Sequence, residues 1–479
     1  DQEPQAEETI AVKNPIVIAI LLLLAIESAA TDKLPVSVQG VLELRQVPAE
    51  TLSVYVEDLD TGDVVLEWRA QEPRNPASTM KLLTTLVALD LLGPAYRWKT
   101  DVYALGEIDD GRLAGDLLLK GYGDPYLVTE RVWQLVRQLR LEGIHEIAGD
   151  LVLDDSWFDV GDYDPGAFDN QPLRAYNVAP NALLMNFKVV RYWFRPDGER
   201  VSVKADPELD NLRIDNRLGV RPGYCGGYQR GIAVTMNEAR DTVTFAGRFP
   251  SQCERYTLAR TALSHNAFAY GLFRSMWREA GGKFEGGWRN AEAPEELEPL
   301  LTFRSRPLME MITRVNKHSN NVMARQVLYT LDAEMNGPPG TEQGGRDVIE
   351  TWLEDRQLES CALALENGAG LSRQARVCAA AMGAMLRYAW AQPYMPEFLA
   401  SLSLSGLDGT LRRRFRDSEL IGKAHLKTGS LDHVAAIAGY LQARSGRRFA
   451  VVALQNHEDI HRGYGDEVQE ALLRWLYEQ

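Results

Sequence analysis

The sequence predicts an α/β (α+β) fold in which an antiparallel sheet is flanked by helices and interrupted by a large β-rich insertion. A hairpin pattern and an apolar helix occupy residues 52–92, and a second hairpin pattern and an amphipathic segment occupy residues 434–477. Residues 101–300 instead indicate short strands broken by Gly, Pro and Asp. We therefore expect the two ends of the chain to form one body, with the middle inserted between them.

Composition and charge narrow the function classes. The chain has 479 residues, 45% of them hydrophobic, so it is long enough for two or three globular domains and is unlike a coil or a fibre. Its formal net charge of −15 argues against nucleic acid or an anionic membrane surface as the main partner. Any anionic substrate must therefore meet local cations.

Residues 1–33 are predicted to be an export signal or an N-terminal extension. The unbroken apolar run Ile16–Ile26 follows Lys13 and precedes the small residues Ser28–Ala30, as at a signal-peptidase site. A bilayer-spanning helix needs about 20 residues, so this run is too short to be one. Acidic residues ahead of the run leave a retained core or interfacial segment as the alternative.

The opening part of the chain predicts a hairpin and then a buried helix. Leu52–Leu59 alternates like a half-buried strand, residues 60–63 form a turn, and Val64–Trp68 is the returning strand. Over Ser78–Leu92, leucines recur at helical spacing in an apolar segment. We expect this helix to be central and buried.

The insertion, residues 101–300, is expected to be a separate β-rich region with one helix at Glu130–Glu142. It is predicted to contain two nested subdomains. The first combines residues 101–165 with 250–300, and the second is formed by residues 166–249.

The closing part returns to helices and then to a hairpin. Helical periodicity runs from Pro307 to Val327. The strands Val434–Leu441 and Phe449–Leu454 form the second hairpin, and Val468–Tyr477 is expected to be a helix that packs on the sheet made by both hairpins.

The four cysteines are too few for a disulfide scaffold in so long a chain, and none has a Cys-x-x-Cys zinc spacing. Cys225 and Cys253 bracket a segment rich in Gly and turn residues. We expect a disulfide there, which would stabilise the fold by about 3–4 kcal/mol. For Cys361 and Cys378, a second disulfide and buried thiols both stay open.

Ser78 and Lys81 form the only Ser-x-x-Lys pattern of the chain. Positions three apart are neighbours on a helix surface, and the N–H groups at a helix N-terminus concentrate positive potential. A serine hydroxyl needs a nearby base, and the amine of Lys81 can serve if its pKa falls from about 10.4 towards 7–8. Taken alone, the pattern also fits a Ser N-cap followed by a surface lysine.

Two further stretches strengthen this interpretation. Ser319 and Asn321 interrupt an amphipathic helical pattern, which suits a kink facing a cleft, although a solvated helix face is the alternative. Lys427-Thr428-Gly429 is the only Lys-Thr/Ser-Gly of the chain and precedes the second hairpin together with Ser430. Lys427 is the natural second cation that would lower the pKa of Lys81.

Together the three stretches resemble the motifs of the penicillin-recognising serine acyl-enzyme superfamily. The chain is most similar to the D-alanyl-D-alanine carboxypeptidase/endopeptidase family, the class C, type-4 low-molecular-mass penicillin-binding proteins, in which a large insertion separates the first two motifs. Asn320 departs from the pattern, which often has Asp there. The similarity extends from about Leu34 to the C-terminus and includes Gly121–Pro125, Asn316–Asn321, Glu366–Arg373 and Gly406–Leu411.

This resemblance implies a penicillin-binding-protein/β-lactamase-like transpeptidase domain formed by residues 34–100 and 301–479. It implies a periplasmic serine hydrolase that acts on peptidoglycan stem peptides and cross-links and is acylated by β-lactams. No cofactor, metal or nucleic-acid partner is implied. Loose membrane association and a homodimer stay open.

The resemblance also implies residue roles. Ser78 would be the nucleophile, Lys81 the base, and Ser319 the group that passes a proton to the leaving amine. Asn321 would hold the substrate amide and Lys81. The terminal carboxylate would be anchored by Lys427 and Thr428 of the Lys427–Gly429 motif, and the backbone N–H groups of Ser78 and Ser430 would form the oxyanion hole, where each donor is worth about 3–4 kcal/mol.

A specificity pair is predicted from two further residues. Asp154 opens the region where the family's insertion reaches back over the cleft, and Arg373 ends the Glu366–Arg373 turn. An acid and a base placed beyond the scissile bond would suit the free amino-carboxylate end of diaminopimelate. The alternative is that Asp154 and Arg373 are ordinary turn residues with solvated charges.

Other functions are compatible with parts of the sequence. A penicillin-binding scaffold or sensor without turnover, or a β-lactamase, would carry the same motifs. His457–His461 matches the zincin pattern His-Glu-x-x-His, but it directly follows a predicted strand and is cut off by glycines, which disfavours a zinc metalloprotease. Gly121 and Gly123 lack the third glycine of a dinucleotide fingerprint, so a tight turn is expected there.

Overall fold

The computed structural model describes residues 31–226 and 231–479. The predicted export signal therefore lies outside the described residues, apart from its last three positions. Across the two described ranges, every helix is too short or too polar to cross a membrane.

Ten α-helices are present in the described ranges. The helix predicted at Glu130–Glu142 is found one residue earlier, and the final helix begins at Tyr464, ahead of the predicted Val468. In chain order the helices are α1 Val36–Leu44, α2 Lys81–Leu92, α3 Thr129–Leu141, α4 His265–Glu279, α5 Leu308–His318, α6 Asn321–Met335, α7 Glu342–Asp355, α8 Ala379–Trp390, α9 Met395–Ser401 and α10 Tyr464–Tyr477.

The strands of the described residues form four sheets. In chain order they are β1 Leu52–Asp58, β2 Val64–Trp68, β3 Lys99–Leu105, β4 Ile108–Asp109, β5 Arg112–Leu113, β6 Asp116–Gly121, β7 Glu146–Ile147, β8 Leu151–Asp154, β9 Val189–Asp197, β10 Arg200–Asp206, β11 Arg213–Arg221, β12 Ile232–Met236, β13 Thr242–Pro250, β14 Tyr256–Thr261, β15 Lys283–Phe284, β16 Trp288–Asn290, β17 Leu301–Arg304, β18 Ser403–Leu404, β19 Ala424–Leu431, β20 Val434–Gln442 and β21 Arg448–Asn456.

The first sheet joins the two ends of the chain. Its strand order is β18-β19-β20-β21-β1-β2, and every pairing in it is antiparallel. The two ends of the chain meet where β1 pairs with β21, in a register that places Leu52 opposite Gln455 and Asp58 opposite Phe449. Both predicted hairpins therefore belong to one antiparallel sheet.

Helices cover both faces of this sheet. On one face, Val54 and Val56 of β1 share a core with residues of α1 and α10. On the other, Tyr55 shares a core with α2, α5, α6 and α8. Successive side chains of a strand point to opposite faces, which explains why β1 is buried along its whole length. Helix α2, buried from Lys81 to Leu89, is central as predicted.

The middle of the chain forms the other three sheets. Their strand orders are β16-β8-β6-β3-β17, β15-β7-β5-β4 and β12-β13-β11-β10-β9-β14. All three contribute to one continuous core with α3 and α4. Because β14 pairs with β9 and β17 pairs with β3, two of these sheets continue past the predicted boundaries at residues 249 and 300.

Both cysteine pairs are disulfides. Cys225 is bonded to Cys253, as predicted from the turn-rich segment between them. Cys361 is bonded to Cys378, which settles the pair that the sequence left open. The second disulfide ties the chain ahead of the Glu366–Arg373 turn to the start of α8.

Candidate active site

Ser78 lies in a single 3-10 turn that leads directly into α2. The turn spans Ala77–Met80 and the α-helix begins at Lys81, so the helix starts later than predicted. In a 3-10 helix, side chains three residues apart lie directly above one another. The Oγ atom of Ser78 is accordingly 3.0 Å from the Nζ atom of Lys81.

The amine of Lys81 contacts three oxygen atoms in a fully buried position. Besides the Ser78 hydroxyl, it lies 2.6 Å from Oδ1 of Asn321 and hydrogen-bonds the backbone carbonyl of Ala369. A neutral amine has two hydrogens and one lone pair. If it donates to Asn321 and Ala369, its lone pair is left for the hydroxyl hydrogen of Ser78.

The surroundings of Lys81 favour this neutral form. Burial, and after it the positive charges of Lys427 and Arg325, lower the pKa of Lys81 well below its ordinary value. Asn321 contributes an uncharged oxygen, which stabilises the ammonium form less than a carboxylate would. The result is a buried base beside a hydroxyl.

Ser319 lies at the junction of α5 and α6. It ends α5 in the left-handed conformation, with φ of 54°, and Asn320 begins the next helix by accepting a 3.0 Å hydrogen bond from the backbone N–H of Met323. Asn320 is therefore a helix cap, a role that Asn and Asp both fill well. The kink turns Ser319 and Asn321 towards the two lysines.

Lys427 lies on β19 beside Ser319. Its Nζ atom is 3.0 Å from Oγ of Ser319 and 2.6 Å from the carbonyl oxygen of Thr428. Burial lowers the pKa of Lys427 to about 7. The two lysines therefore serve different hydroxyls, Lys81 that of Ser78 and Lys427 that of Ser319.

Gly429 lets β19 approach the turn that carries Ser78. A Cβ atom at this position would lie 2.5 Å from the carbonyl oxygen of Pro76 and 3.1 Å from the backbone nitrogen of Ser78. β18 pairs only with residues 425 and 426 of β19, so the following residues adjoin the turn instead. Ser430 is exposed at this edge.

The arrangement brings eight of the ten predicted site residues into one place. They are Ser78, Lys81, Ser319, Asn321, Lys427, Thr428, Gly429 and Ser430, drawn from the turn before α2, the α5–α6 junction and β19. Residues 36–479 match the family model described as D-Ala-D-Ala carboxypeptidase 3 (S13). The chain belongs to this family.

Relatives and solved structures agree with the match. A D-alanyl-D-alanine carboxypeptidase of an Actinomadura species is 28% identical over 449 residues, covering 88% of this chain and 81% of the relative. The crystal structure of penicillin binding protein 4 from Haemophilus influenzae superposes with a TM-score of 0.79 at 22% identity, covering 93% of this chain and all of the other. The same protein complexed with a β-lactam gives 0.74 at 22% identity, covering 92% of this chain and 99% of the other. The penicillin-binding-protein fold is thereby confirmed.

In this S13 family member, the two predicted specificity residues, Asp154 and Arg373, have different environments. Asp154 is buried at the end of β8, where it accepts hydrogen bonds from Ser156 and from the backbone N–H of Ala293. Lys120 lies 3.3 Å away. These partners occupy the carboxylate, so the prediction that Asp154 binds substrate is not supported.

Arg373 has a different environment. It contacts Asp432 at 3.3 Å, and its guanidinium lies 4.8 Å from the ring of Phe168. Its side chain is 46% exposed and lines a cavity of about 390 Å³ formed between residues 163–177 and the Glu366–Arg373 turn. Arg373 is therefore accessible to a ligand, in contrast to Asp154.

Three features of the site were not predicted from the sequence. The carbonyl of Ala369 contacts Lys81, the hydroxyl of Thr410 accepts a 2.8 Å hydrogen bond from Thr428, and Arg325 is buried near Lys81. Two of these features could have been found from the sequence, because Ala369 and Thr410 lie inside Gly-containing stretches that resemble the family. Arg325 lies on α6 outside any such stretch.

The His-Glu-x-x-His match does not form a zincin helix. His457 follows β21 directly, and His461 lies in a 3-10 turn of three residues, Ile460–Arg462. The Nδ1 atoms of both rings accept hydrogen bonds from backbone N–H groups, those of Asp459 and His433. In the described ranges, no cluster of three or more His, Cys, Asp or Glu has a metal-binding arrangement.

Proposed function

We propose that this chain is a serine D-alanyl-D-alanine carboxypeptidase and endopeptidase that cleaves peptidoglycan stem peptides and cross-links through an acyl-enzyme on Ser78. The observation that carries the proposal is the buried amine of Lys81, which lies 3.0 Å from Oγ of Ser78 and has a strongly lowered pKa. A neutral amine in hydrogen-bond contact is what activation of a serine hydroxyl requires.

Acylation begins with transfer of the Ser78 hydroxyl proton to Lys81. Oγ of Ser78 attacks the carbonyl carbon of the penultimate D-alanine, and the carbonyl oxygen becomes an oxyanion. The backbone N–H groups of Ser78 and Ser430 are the proposed donors to that oxyanion, and loss of one such donor typically costs about 3–4 kcal/mol of transition-state stabilisation. The close approach at Gly429 supports this assignment.

The leaving amine must gain a proton before the peptide bond breaks. Ser319 is the proposed donor, because its hydroxyl is hydrogen-bonded to Lys427, which can reprotonate it. Departure of the amine leaves an ester between the acyl group and Ser78. The proton that Lys81 took from Ser78 then passes to the depleted Ser319–Lys427 pair, which leaves the amine of Lys81 neutral again. A water molecule gives a proton to Lys81 and attacks the ester, and that proton returns to Oγ of Ser78 as the acyl group leaves.

The substrate is proposed to be held at both ends of the scissile bond. Lys427 and Thr428 anchor the terminal carboxylate of a stem peptide, and Asn321 hydrogen-bonds the amide on the other side. Arg373 is proposed to receive the free amino-carboxylate end of diaminopimelate through its carboxylate, without Asp154. A cross-link presents the same acyl group with a larger leaving amine, so one site would support both activities.

β-Lactams are proposed to acylate the same serine, in an exported, periplasmic enzyme. The complex of the Haemophilus influenzae protein with a β-lactam supports this for a protein of the same fold. Two other functions share the geometry. A scaffold or sensor would stop at the acyl-enzyme, and a β-lactamase would hydrolyse the antibiotic ester quickly.

One experiment separates these functions. Purified protein is incubated with a β-lactam and, separately, with a peptidoglycan pentapeptide, and both the adduct mass and the released D-alanine are measured. We expect a stable adduct on Ser78 together with continuous D-alanine release. An adduct without release would indicate the scaffold or sensor, and rapid loss of the adduct with hydrolysed antibiotic would indicate a β-lactamase.

The matched variants are Ser78→Ala and Ser430→Ala. Ser78→Ala should lose both label and D-alanine release, because the nucleophile is removed. Ser430→Ala keeps the backbone N–H and should keep the label. An adduct on Ser78→Ala would refute the proposed nucleophile.

A further inference from the structure

The six-stranded sheet of the insertion has one buried and one exposed face. On β9, Val190, Tyr192 and Phe194 are fully buried, whereas the alternating residues Arg191 and Arg195 are exposed. Neighbouring strands repeat the pattern in register, with Lys204 opposite Trp193 and Ser202 opposite Arg195. Arg195 and Lys204 are exposed, whereas Arg191 lines a separate cavity together with Glu130 of α3 and Glu279 of α4.

The exposed face has more cations than carboxylates although the whole chain is acidic. Residues 189–261 carry twelve Lys and Arg against nine Asp and Glu, whereas the chain has a net charge of −15. Among the carboxylates of these strands, Asp215 is bound to Arg217 at 2.6 Å. The outward or rim cations Arg195, Lys204, Arg217, Arg248 and Arg255 are here called the basic face.

A hollow of about 650 Å³ lies within the basic face. Arg195, Lys204 and Arg255 line it together with the indole of Trp193, and the guanidinium of Arg255 lies 5.0 Å from that ring. Glu254 also lines the hollow, so cations outnumber carboxylates there by three to one. No ion pair in the described ranges engages Arg195, Lys204 or Arg255, which leaves their charges available to a ligand.

We propose that the basic face docks on the surface of an anionic phospholipid membrane. Its cations are spread over β13, β11, β10 and β9, four adjacent strands spanning about 15 Å. A plane of headgroup phosphates matches such a spread, whereas one polymer strand follows a line. Trp193 adds an amphipathic ring of the kind enriched at membrane interfaces.

The uneven charge also orients the molecule. Anionic lipid attracts the basic face and repels the acidic remainder of the chain, so only one orientation is favoured within a Debye length of the surface. The overall charge of −15, which argues against a membrane partner when considered alone, conceals this local reversal. Docking does not depend on the chemistry of Ser78, and it would hold the enzyme at the membrane surface.

The test uses the full chain and unilamellar vesicles in a sedimentation assay at low and high salt. One vesicle set is equimolar phosphatidylglycerol and phosphatidylcholine, and the other is phosphatidylcholine alone. We expect binding to the anionic vesicles only, and its loss at high salt. Each cation near an anionic surface contributes about fivefold in affinity, so Arg195→Glu/Lys204→Glu/Arg255→Glu should weaken binding by at least about 100-fold.

Matched variants exclude trivial effects of charge and misfolding. Arg137→Glu/Lys283→Glu/Arg304→Glu makes the same charge change at exposed cations off the sheet and should alter binding by less than about tenfold, since only cations close to the lipid contribute fully. Arg195→Gln/Lys204→Gln/Arg255→Gln should be intermediate. Thermal unfolding by circular dichroism must show that all variants are folded.

Four outcomes would overturn the proposal. These are equal binding to both vesicle types, equal losses in the two Glu triple variants, binding of soluble polyphosphate without vesicle binding, and self-association that the first triple variant abolishes without any vesicle binding. The last two would assign the basic face to a polymer or to a second copy of the chain.

Discussion

Lys81 donates a hydrogen bond of 2.6 Å to Asn321, a residue 240 positions later in the chain. This contact joins the start of α2 to the start of α6. An amide in this position holds the amine by a neutral oxygen, so the low pKa of Lys81 is preserved. Replacement of that amide by a carboxylate would keep the shape and change the charge.

We therefore expect Asn321→Asp to slow acylation at neutral pH. A carboxylate beside Lys81 should raise the pKa of its amine by about 1–3, and the acid limb of the acylation profile should move upward by the same amount. Below that limb, the rate falls about tenfold per pH unit. The measurement is the second-order rate of β-lactam acylation as a function of pH.

Asn320→Asp is the matched control for this change. It makes the same substitution one residue earlier, but at a helix cap that binds the backbone N–H of Met323. The acylation profile should keep its acid limb. An unmoved limb in Asn321→Asp would mean that Lys81 is not the titrating base.

The buried position of Lys81 predicts a pH-dependent cost to stability. In the unfolded chain Lys81 has a pKa near 10.4, whereas in the folded protein the pKa of its amine is well below this value. Between these two pKa values only the unfolded chain binds the proton, so the free energy of unfolding falls as the pH falls. Lys81→Met removes this term. The difference in free energy of unfolding between this variant and the wild-type chain should rise by about 1.4 kcal/mol for each pH unit of acidification below about pH 10, until the pH reaches the lowered pKa of the buried amine.

Urea unfolding at several alkaline and neutral pH values measures the effect. Lys283→Met is the control, because that lysine is exposed on β15 and its replacement should give no such trend. A constant difference between Lys81→Met and the native chain would show that the amine is protonated when folded.

The local parts of this site could be predicted from the sequence, because each motif combines its residues within four positions. Hairpins, the helix α2 and the kink between α5 and α6 also follow from short-range patterns. The burial of Asp154 could not be predicted, since it depends on a backbone N–H of Ala293, 139 residues away. The contact of Ala369 with Lys81 likewise uses a backbone carbonyl, which has no side-chain signature.

The close approach at Gly429 predicts that a methyl group there will impair acylation. In Gly429→Ala, the added Cβ must move Pro76 and the Ser78 turn away from β19 by roughly 1 Å, and a displacement of this size can cost about 100-fold in rate. The acylation rate and the thermal midpoint should be measured together. Gly219→Ala is the control, since a Cβ there meets no atom within 4 Å. Wild-type acylation in Gly429→Ala would exclude the tight packing.

The pKa of Lys427 predicts how carboxylate anchoring depends on pH. With a pKa of about 7 in the free protein, its ammonium form is populated below that value and lost above it. The KM for peptides with a free terminal carboxylate should rise above about pH 7, by up to tenfold per pH unit, while that for amidated analogues should not. Lys427→Ala should impair the carboxylate-bearing peptides more. Equal losses for both peptides would argue against an anchoring role.

The accessible guanidinium of Arg373 predicts specificity for diaminopimelate. Arg373→Ala should lower turnover of peptides with a free diaminopimelate end by about 1.5–3 kcal/mol, or roughly 10- to 150-fold, the range for hydrogen bonds to charged groups. β-Lactam acylation should change little, because these antibiotics lack the distal group.

Asp154→Ala is the informative comparison. It leaves Lys120 and the Ala293 N–H without their buried partner, so it should destabilise the fold and affect both ligand types in parallel. If Arg373→Ala also lowers peptide turnover and β-lactam acylation equally, its guanidinium supports the fold through Asp432 and Phe168. If Asp154→Ala lowers only the turnover of diaminopimelate peptides, its carboxylate belongs to the substrate site after all.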